Sequence, residues 1–351
     1  MSEINFDPVT LTQSLVKCAS VTPKDEGALT VVENHLSAIG CDCHQLTFSG
    51  NNSYEVKNLF ATIGNEGKHF AYAGHTDVVP VGNESSWKYP PFSARIDDGK
   101  LYGRGSEDMK SSVACFISAA KRFVDKYKNI PGKISFIITG DEERDSVNGT
   151  PRILEWASKQ NYKFDHCLVG EPTSKNEVGD KVKIGRRGSV SFFFQVKGIQ
   201  GHTANSHLAE NSSHHLVNLL NSILEEPLDE GNENFLPTSV QIATIDIGNP
   251  VQNVIPELAK ATVNIRFNDM HSSDSLIKWI DNKIEKIFSK LENASCTYTY
   301  DATAESFLNK AGDLYNIISK SISDVTGRNS PPEQATDGGT SDARYIKNYC
   351  E

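Results

Sequence analysis

Long apolar runs are missing from this 351-residue chain: no stretch approaches 18 uncharged apolar residues, so no spanning helix is expected. The first residues, Met-Ser-Glu-Ile-Asn-Phe-Asp, lack the basic and apolar segments of a secretory signal, and the sequence reads as a soluble cytoplasmic protein. Basic residues are in deficit, with 35 Lys and Arg against 45 Asp and Glu. The formal charge of −10 speaks against a general attraction to nucleic acid or an anionic membrane. The seven cysteines, at 18, 41, 43, 115, 167, 296 and 350, are an odd, scattered set and make no disulfide framework. Cys41-Asp-Cys43-His44 has no matching Cys pair that would complete a metal site, and its thiols read as buried or surface groups. Phosphate loops of the GxGxxG or GxxxxGK[ST] type do not occur, and Gly103-Arg-Gly105 alone is too weak to suggest a nucleotide.

What is present is an ordinary globular composition long enough for about two domains. In the first part, Leu11, Leu15 and Cys18, then Leu29, Val32, Leu36 and Ile39, stand at helical spacing. The runs 68–74, 132–140 and 164–170 are short, apolar and end on Gly, as strands of a covered sheet do. Between them Val113, Phe116, Ile117, Ala120 and Val124 mark a helix starting near Met109. This predicts an α/β domain with a mixed, largely parallel sheet and helices on both faces. From about 189 the grammar changes to strand 189–198, helix 208–225, strands 238–247 and 258–267, helix 273–292 and strand 294–300. That order is an inserted ferredoxin-like α+β unit. The boundaries are placed at 1–183 with 298–351 for the α/β domain and 184–297 for the insertion.

Ligands of open α/β sheets bind beyond the carboxyl ends of the strands. There stand Gly74-His75-Thr76-Asp77, then Asp141-Glu142-Glu143, then Glu171-Pro172, while Asp108 precedes the long helix. One imidazole with several carboxylates suits zinc, with cobalt or manganese as substitutes. His75, Asp108, Glu143 and Glu171 could serve two ions if Asp108 bridges them. Asp77, two residues after His75, is placed to accept the second imidazole N–H and fix its tautomer. Of Glu142 and Glu143, one could bind metal while the other moves a proton between water and a leaving amine. Singly, such a His is more often a hydrogen-bonded structural residue and such an Asp a helix cap; the argument rests on four of them at successive strand ends. Arg186, Arg187 and Arg266 could bind an anionic substrate or simply partner acidic groups. His202 follows the first strand of the insertion, where a donor could face the main site, while His207, His214 and His215 read as surface residues.

The motifs GHTDVVPVG (74–82), PPF (90–92), LYGRGSEDMK (101–110), DEERDSVNGT (141–150), LVGEPTS (168–174), GRRGS (185–189), GIQGH (198–202), NVIP (253–256), NIRF (264–267) and GGTSD (338–342) together resemble the succinyl-diaminopimelate desuccinylase family of dinuclear zinc deacylases and aminopeptidases. The resemblance spans essentially the whole chain. It implies two zinc ions per subunit, with cobalt able to substitute. His75 and Glu171 would hold one ion, Glu143 would help hold the other, Asp108 would bridge them, and Glu142 would be the general base. It implies that the inserted domain mediates homodimerisation and acts as a lid, and that His202 reaches the partner's site to stabilise an oxyanion. Arg186, Ser189, Asn253, Arg266 and Thr340 match positions that bind the substrate's carboxylates and backbone. The implied reaction is hydrolysis of N-succinyl-LL-2,6-diaminopimelate to succinate and LL-2,6-diaminopimelate, on the lysine and cell-wall route.

The sequence departs from the family pattern at Ser111, Asn205 and Gln252, where Gly, an aromatic and Asn are usual. The family's last metal ligand is a His about 25 residues beyond GGTSD, and no His follows His271 here, so a weakened second metal site is expected. Two other readings stand beside the main one. One is a related metal-dependent deacylase or dipeptidase, such as an acetylornithine deacetylase, because related sites share ligands and differ in the pocket. The other is an inactive homologue serving as a binding module.

Overall fold

The computed structural model describes residues 4–350 apart from 51, 128, 310 and 311. The chain divides into two compact units, Met1–Thr173 with Ser341–Glu351, and Ser174–Thr340. The second unit is therefore an insertion in the first.

The first unit opens with α1 (Pro8–Lys17), whose N-cap Asp7 accepts the Thr10 amide and whose first position is Pro, a pairing that fixes the helix start. Then follow α2 (Ala28–Ala38), β1 (Asp42–Gly50), β2 (Ser53–Gly64), β3 (His69–His75), α3 (Ser111–Lys126), β4 (Lys133–Thr139), α4 (Thr150–Lys159) and β5 (His166–Val169). The sheet order is β1-β2-β4-β3-β5. β3 runs parallel to both β4 and β5, and the β1–β2 hairpin joins β4 antiparallel, which makes the sheet mixed. Helices cover both faces, as the period of two along a strand requires. Leu59, Ala61, Tyr72, Phe136 and Ile138 face Leu11, Leu15, Val32, Leu36, Val113 and Ile117 of α1, α2 and α3. The alternate residues Phe60, Ala71, Ala73 and Ile137 face Ile153, Leu154 and Ala157 of α4, with Ile346 of the short helix Ala343–Ile346.

The second unit contains β6 (Gly188–Lys197), α5 (Ser212–Leu224), β7 (Ser239–Asp246), β8 (Leu258–Phe267), α6 (Ser273–Phe288), β9 (Ser295–Ala304) and α7 (Asp313–Thr326). Its antiparallel sheet has the order β7-β8-β6-β9, the ferredoxin-like arrangement anticipated from the element order. Phe192, Phe194, Val263, Ile265 and Phe267 pack against Leu216, Leu219, Leu220, Ile223, Leu276 and Ile280 of α5 and α6. The Ser272 side chain and Ser275 form a capping box that starts α6.

Three sequence expectations differ from the structure. The units do not divide at 183/184 and 297/298, because residues 174–183 and 298–340 pack within the second unit. Strand Lys181–Lys183 pairs with Glu333–Ala335, Gly185–Arg186 pairs with Phe307–Leu308, and β9 continues along β6 to Ala304. The long helix starts at Ser111 rather than Met109, because Asp108 and Met109 have non-helical dihedral angles inside the turn Ser106–Lys110. The β1–β2 hairpin was not anticipated; β1 is an edge strand of mainly exposed polar residues and lacks the apolar run used as the strand signal.

The two faces of β6 give a direct stability test. Phe192 is 0% exposed, whereas its neighbour Phe193 is 45% exposed on the other face. Phe192→Ala is expected to cost about 3–5 kcal/mol in urea unfolding. Phe193→Ala should stay within about 0.5 kcal/mol of the wild type, and equal losses would contradict this packing.

Candidate metal centre

Every residue expected to hold metal lies in the first unit, at the carboxyl edge of the sheet. β3 ends on His75, and Thr139, the last residue of β4, is its register partner. The Thr76 amide donates to the Thr139 carbonyl at 3.0 Å, so the two strand ends are tied before their functional loops begin. The Gly170 amide likewise donates to the Ala73 carbonyl at 3.0 Å, which places Glu171 beside His75. A Cβ on Gly170 would lie 2.3 Å from both Tyr72 Oη and Ser112 Oγ, so only Gly allows this approach. Asp108 comes from the Ser106–Lys110 turn, which the fully buried Lys110 anchors by donating its Nζ to the carbonyls of Leu15 at 3.0 Å and Cys18 at 2.8 Å. Burial pushes this ammonium down to about 8.

His75 is 1% exposed. Its Nδ1 donates to the Asp77 main-chain carbonyl at 2.9 Å, while the Asp77 carboxylate is 3.6 Å away. The backbone oxygen, rather than the anticipated carboxylate, fixes the ring. The consequence is the same: Nε2 is left as the ligand nitrogen. It faces Asp108 Oδ1 at 3.1 Å and Glu171 Oε1 at 3.8 Å. The Asp77 carboxylate has another task. Its two oxygens accept the amides of Glu142 and Glu143, each at 3.2 Å, and one also accepts the Thr22 hydroxyl at 2.7 Å. Asp77 therefore fixes the backbone that carries the paired glutamates.

Ligand atoms of His75, Asp108 and Glu143 lie within 4.8 Å of one another, and so do those of His75, Glu142 and Glu171. Both sets contain His75, but one nitrogen can ligate only one ion, so the carboxylates must be shared out if two ions bind. An imidazole with only carboxylate oxygens is a hard-to-borderline donor set, and the residues present fit a divalent metal such as zinc.

Electrostatics support this. Burial alone would push the His75 imidazole down, but the Asp108 carboxylate, with Asp77, Glu171 and Glu142, outweighs it and holds the ring well above its ordinary value. Asp108 is held low, first by its hydrogen bond with His75. Burial, then the Asp342 carboxylate, pushes Glu142 up to about 8. Glu143 is also raised, chiefly by burial. Asp342 was missed as a site residue. It is 4% exposed, accepts the Thr150 hydroxyl at 2.5 Å, and its own carboxyl is pushed by burial up to about 6. Its signal was the last residue of GGTSD, of which only Thr340 was singled out.

The expected substrate residues lie in the second unit and form three local pairs. Ser189 and Arg266 are register partners on β6 and β8. Arg266 Nε donates to Asn264 Oδ1 at 3.2 Å. His202 precedes Thr203, whose amide donates to the Asn253 carbonyl at 3.0 Å, so His202 and Asn253 are brought close. Arg186 Nη1 donates to the Gly339 carbonyl at 2.8 Å, beside Thr340, whose buried hydroxyl has no hydrogen-bond partner among the described residues.

The raised Glu142 carboxyl sets a pH dependence for the metal-free chain. Unfolded, it loses its proton near 4.5; folded, it keeps it to about 8, so the folded state holds the extra proton in that window and stability falls as pH rises through it. Glu142→Gln removes this slope. In chelator-treated protein, the variant's melting temperature relative to wild type is expected to rise between pH 5 and pH 8. A difference constant across that range would show that Glu142 is not buried as a neutral acid.

Residues 71–350 match the family model described as Peptidase family M20/M25/M40. The chain is 44% identical over 345 residues to a succinyl-diaminopimelate desuccinylase of Parvibaculum lavamentivorans, covering 98% of this chain and 86% of the relative. It is also 44% identical over 345 residues to one of Bradyrhizobium sp., covering 98% and 89%. Among solved structures, aminopeptidase PepT from Bacillus cereus shares the fold, with a TM-score of 0.75 at 17% identity over 99% of this chain and 88% of that one. The chain belongs to peptidase family M20/M25/M40, among its succinyl-diaminopimelate desuccinylases.

Proposed function

We propose that the chain is a metal-dependent amidohydrolase that cleaves N-succinyl-LL-2,6-diaminopimelate to succinate and LL-2,6-diaminopimelate. The observation that carries this reading is the pair of ligand-competent groups sharing His75, with the half-buried Glu142 carboxyl inside one of them. His75 and Glu171 would hold one zinc ion, Glu143 would help hold the other, and Asp108 would serve as a ligand shared by the two; cobalt is proposed as a substitute. When bound, the ions supply Lewis acidity toward water and the amide carbonyl.

The chain's own residues supply the proton traffic. Glu142 takes the proton of the attacking water and hands it to the departing amine, a task that its carboxylate, grouped with His75 and Glu171, is placed to perform. Asp77 keeps Glu142 and Glu143 in place through their amides. His202 is proposed as the donor to the oxyanion. Its Nδ1 accepts the Ala204 amide at 3.1 Å, so in the neutral ring the proton sits on the exposed Nε2, free to donate. Arg186, Arg266, Ser189, Asn253 and Thr340 are proposed to bind the substrate's carboxylates and backbone; the guanidinium fork matches a carboxylate bidentately. The small anionic substrate is thus met by local cations on an acidic chain. We further propose a homodimer formed through the second unit, where β7 is an edge strand with Ile245 exposed. No helix among the described residues is long and apolar enough to cross a membrane, and the seven free cysteines accord with the proposed cytoplasmic location.

Glu142→Gln is expected to lower kcat by about 10²–10⁴-fold while retaining bound metal, and wild-type turnover in that variant would reject the assigned base. Chelation should abolish succinate release and added zinc restore it. Zinc at about 100 times its Kd should add about 2.7 kcal/mol of stability, visible as a higher melting temperature. N-acetylornithine, assayed in parallel, separates this reading from the related deacylase; preferential acetate release would favour the latter.

A further inference from the structure

The loop leaving β4 must hold Glu142 and Glu143 side by side against their repulsion, and Asp77 of the neighbouring β3 segment grips only their amides. A second grip comes from β2, the other neighbour of β4 in the sheet. Tyr54 Oη donates to Asp141 Oδ1 at 2.5 Å and accepts the Asp145 amide at 3.1 Å. One hydroxyl thus spans the residues on either side of Glu142-Glu143-Arg144. Around it, the other Asp141 oxygen accepts the Asn148 amide at 3.3 Å, and Asn148 Nδ2 donates back to the Tyr54 carbonyl at 2.8 Å. Asp141 is completely buried, and the Arg144 guanidinium lies 5.8 Å from the centre of the Tyr54 ring. Neither Tyr54 nor Asp141 belongs to the ligand-competent groups.

We infer that Tyr54 is a positioning residue for Glu142 and Glu143, its hydroxyl closing the 141–145 loop so that both carboxylates enter the site from a fixed backbone. The geometric claim stands on these hydrogen bonds; its kinetic consequence rests on the hydrolase reading given above. A phenol is needed because the same oxygen must donate to a carboxylate and accept an amide, which the isosteric Phe cannot do.

The test is Tyr54→Phe in the full chain, with Ser53→Ala as control, since among the described residues Ser53 Oγ bonds only the Asp145 side chain, at 2.7 Å. Hydrogen exchange in metal-free protein reads the clamp without reference to turnover. Exchange over 141–148 should quicken by about tenfold in Tyr54→Phe, with 133–139 unchanged. Unchanged exchange, or equal acceleration of both segments, overturns the inference. In zinc-loaded enzyme kcat should fall about 10- to 100-fold with KM within about twofold. A wild-type kcat, a loss carried by KM, or an equal loss in Ser53→Ala overturns it. If the wild-type chain itself fails to release succinate, the hydrolase reading fails, and the exchange result still decides the clamp.

Discussion

Like-charge repulsion at one sheet edge is the constraint on which this structure turns. Asp77, Asp108, Glu142, Glu143, Glu171 and Asp342 gather around one imidazole, and burial weakens the water that would screen them. The surrounding carboxylates hold the His75 imidazole well above its ordinary value, and burial with the neighbouring carboxylates raises Glu142. A divalent cation relieves the repulsion, and it favours the unprotonated state of the same groups. The site is therefore costly when empty and well suited to binding metal.

That cost explains how the loops are built. Side chains that repel one another cannot be held by one another, so the site is held largely through main-chain amides and carbonyls. Asp77 spends both oxygens on main-chain amides, Lys110 spends its protons on two carbonyls, and His75 is oriented by a carbonyl.

The first tier of this arrangement was legible in the sequence. His75, Asp108, Glu142, Glu143 and Glu171 each follow or precede a clear apolar element, and the rule for strand ends sufficed to collect them. The elements of the inserted unit were legible for a similar reason: one buried face forces alternation, so Leu258–Phe267 could be read to the residue. What could not be read depends on long-range pairing without a local pattern. Thr150 and Asp342 meet across 192 positions, and Tyr54 and Asp141 across 87. The unit boundary failed for the same cause. Strands of two or three residues such as Phe307–Leu308 and Glu333–Ala335 carry no periodicity, and α7 has no buried residue to say which core it serves.

The sheet order turns these scattered contacts into one device. β4 lies between β2 and β3, so the loop leaving it can be gripped from both sides, by Tyr54 across one edge and Asp77 across the other. A grip from one side would leave the glutamates free to swing apart along the direction of their repulsion. Two grips fix the backbone that carries both glutamates and leave them mainly side-chain rotation. A sheet with β4 at its edge could not provide this with the same residues. The hairpin β1–β2, the part of the first unit that the sequence signalled least, thus brings to the site the partner that a parallel α/β edge alone would lack.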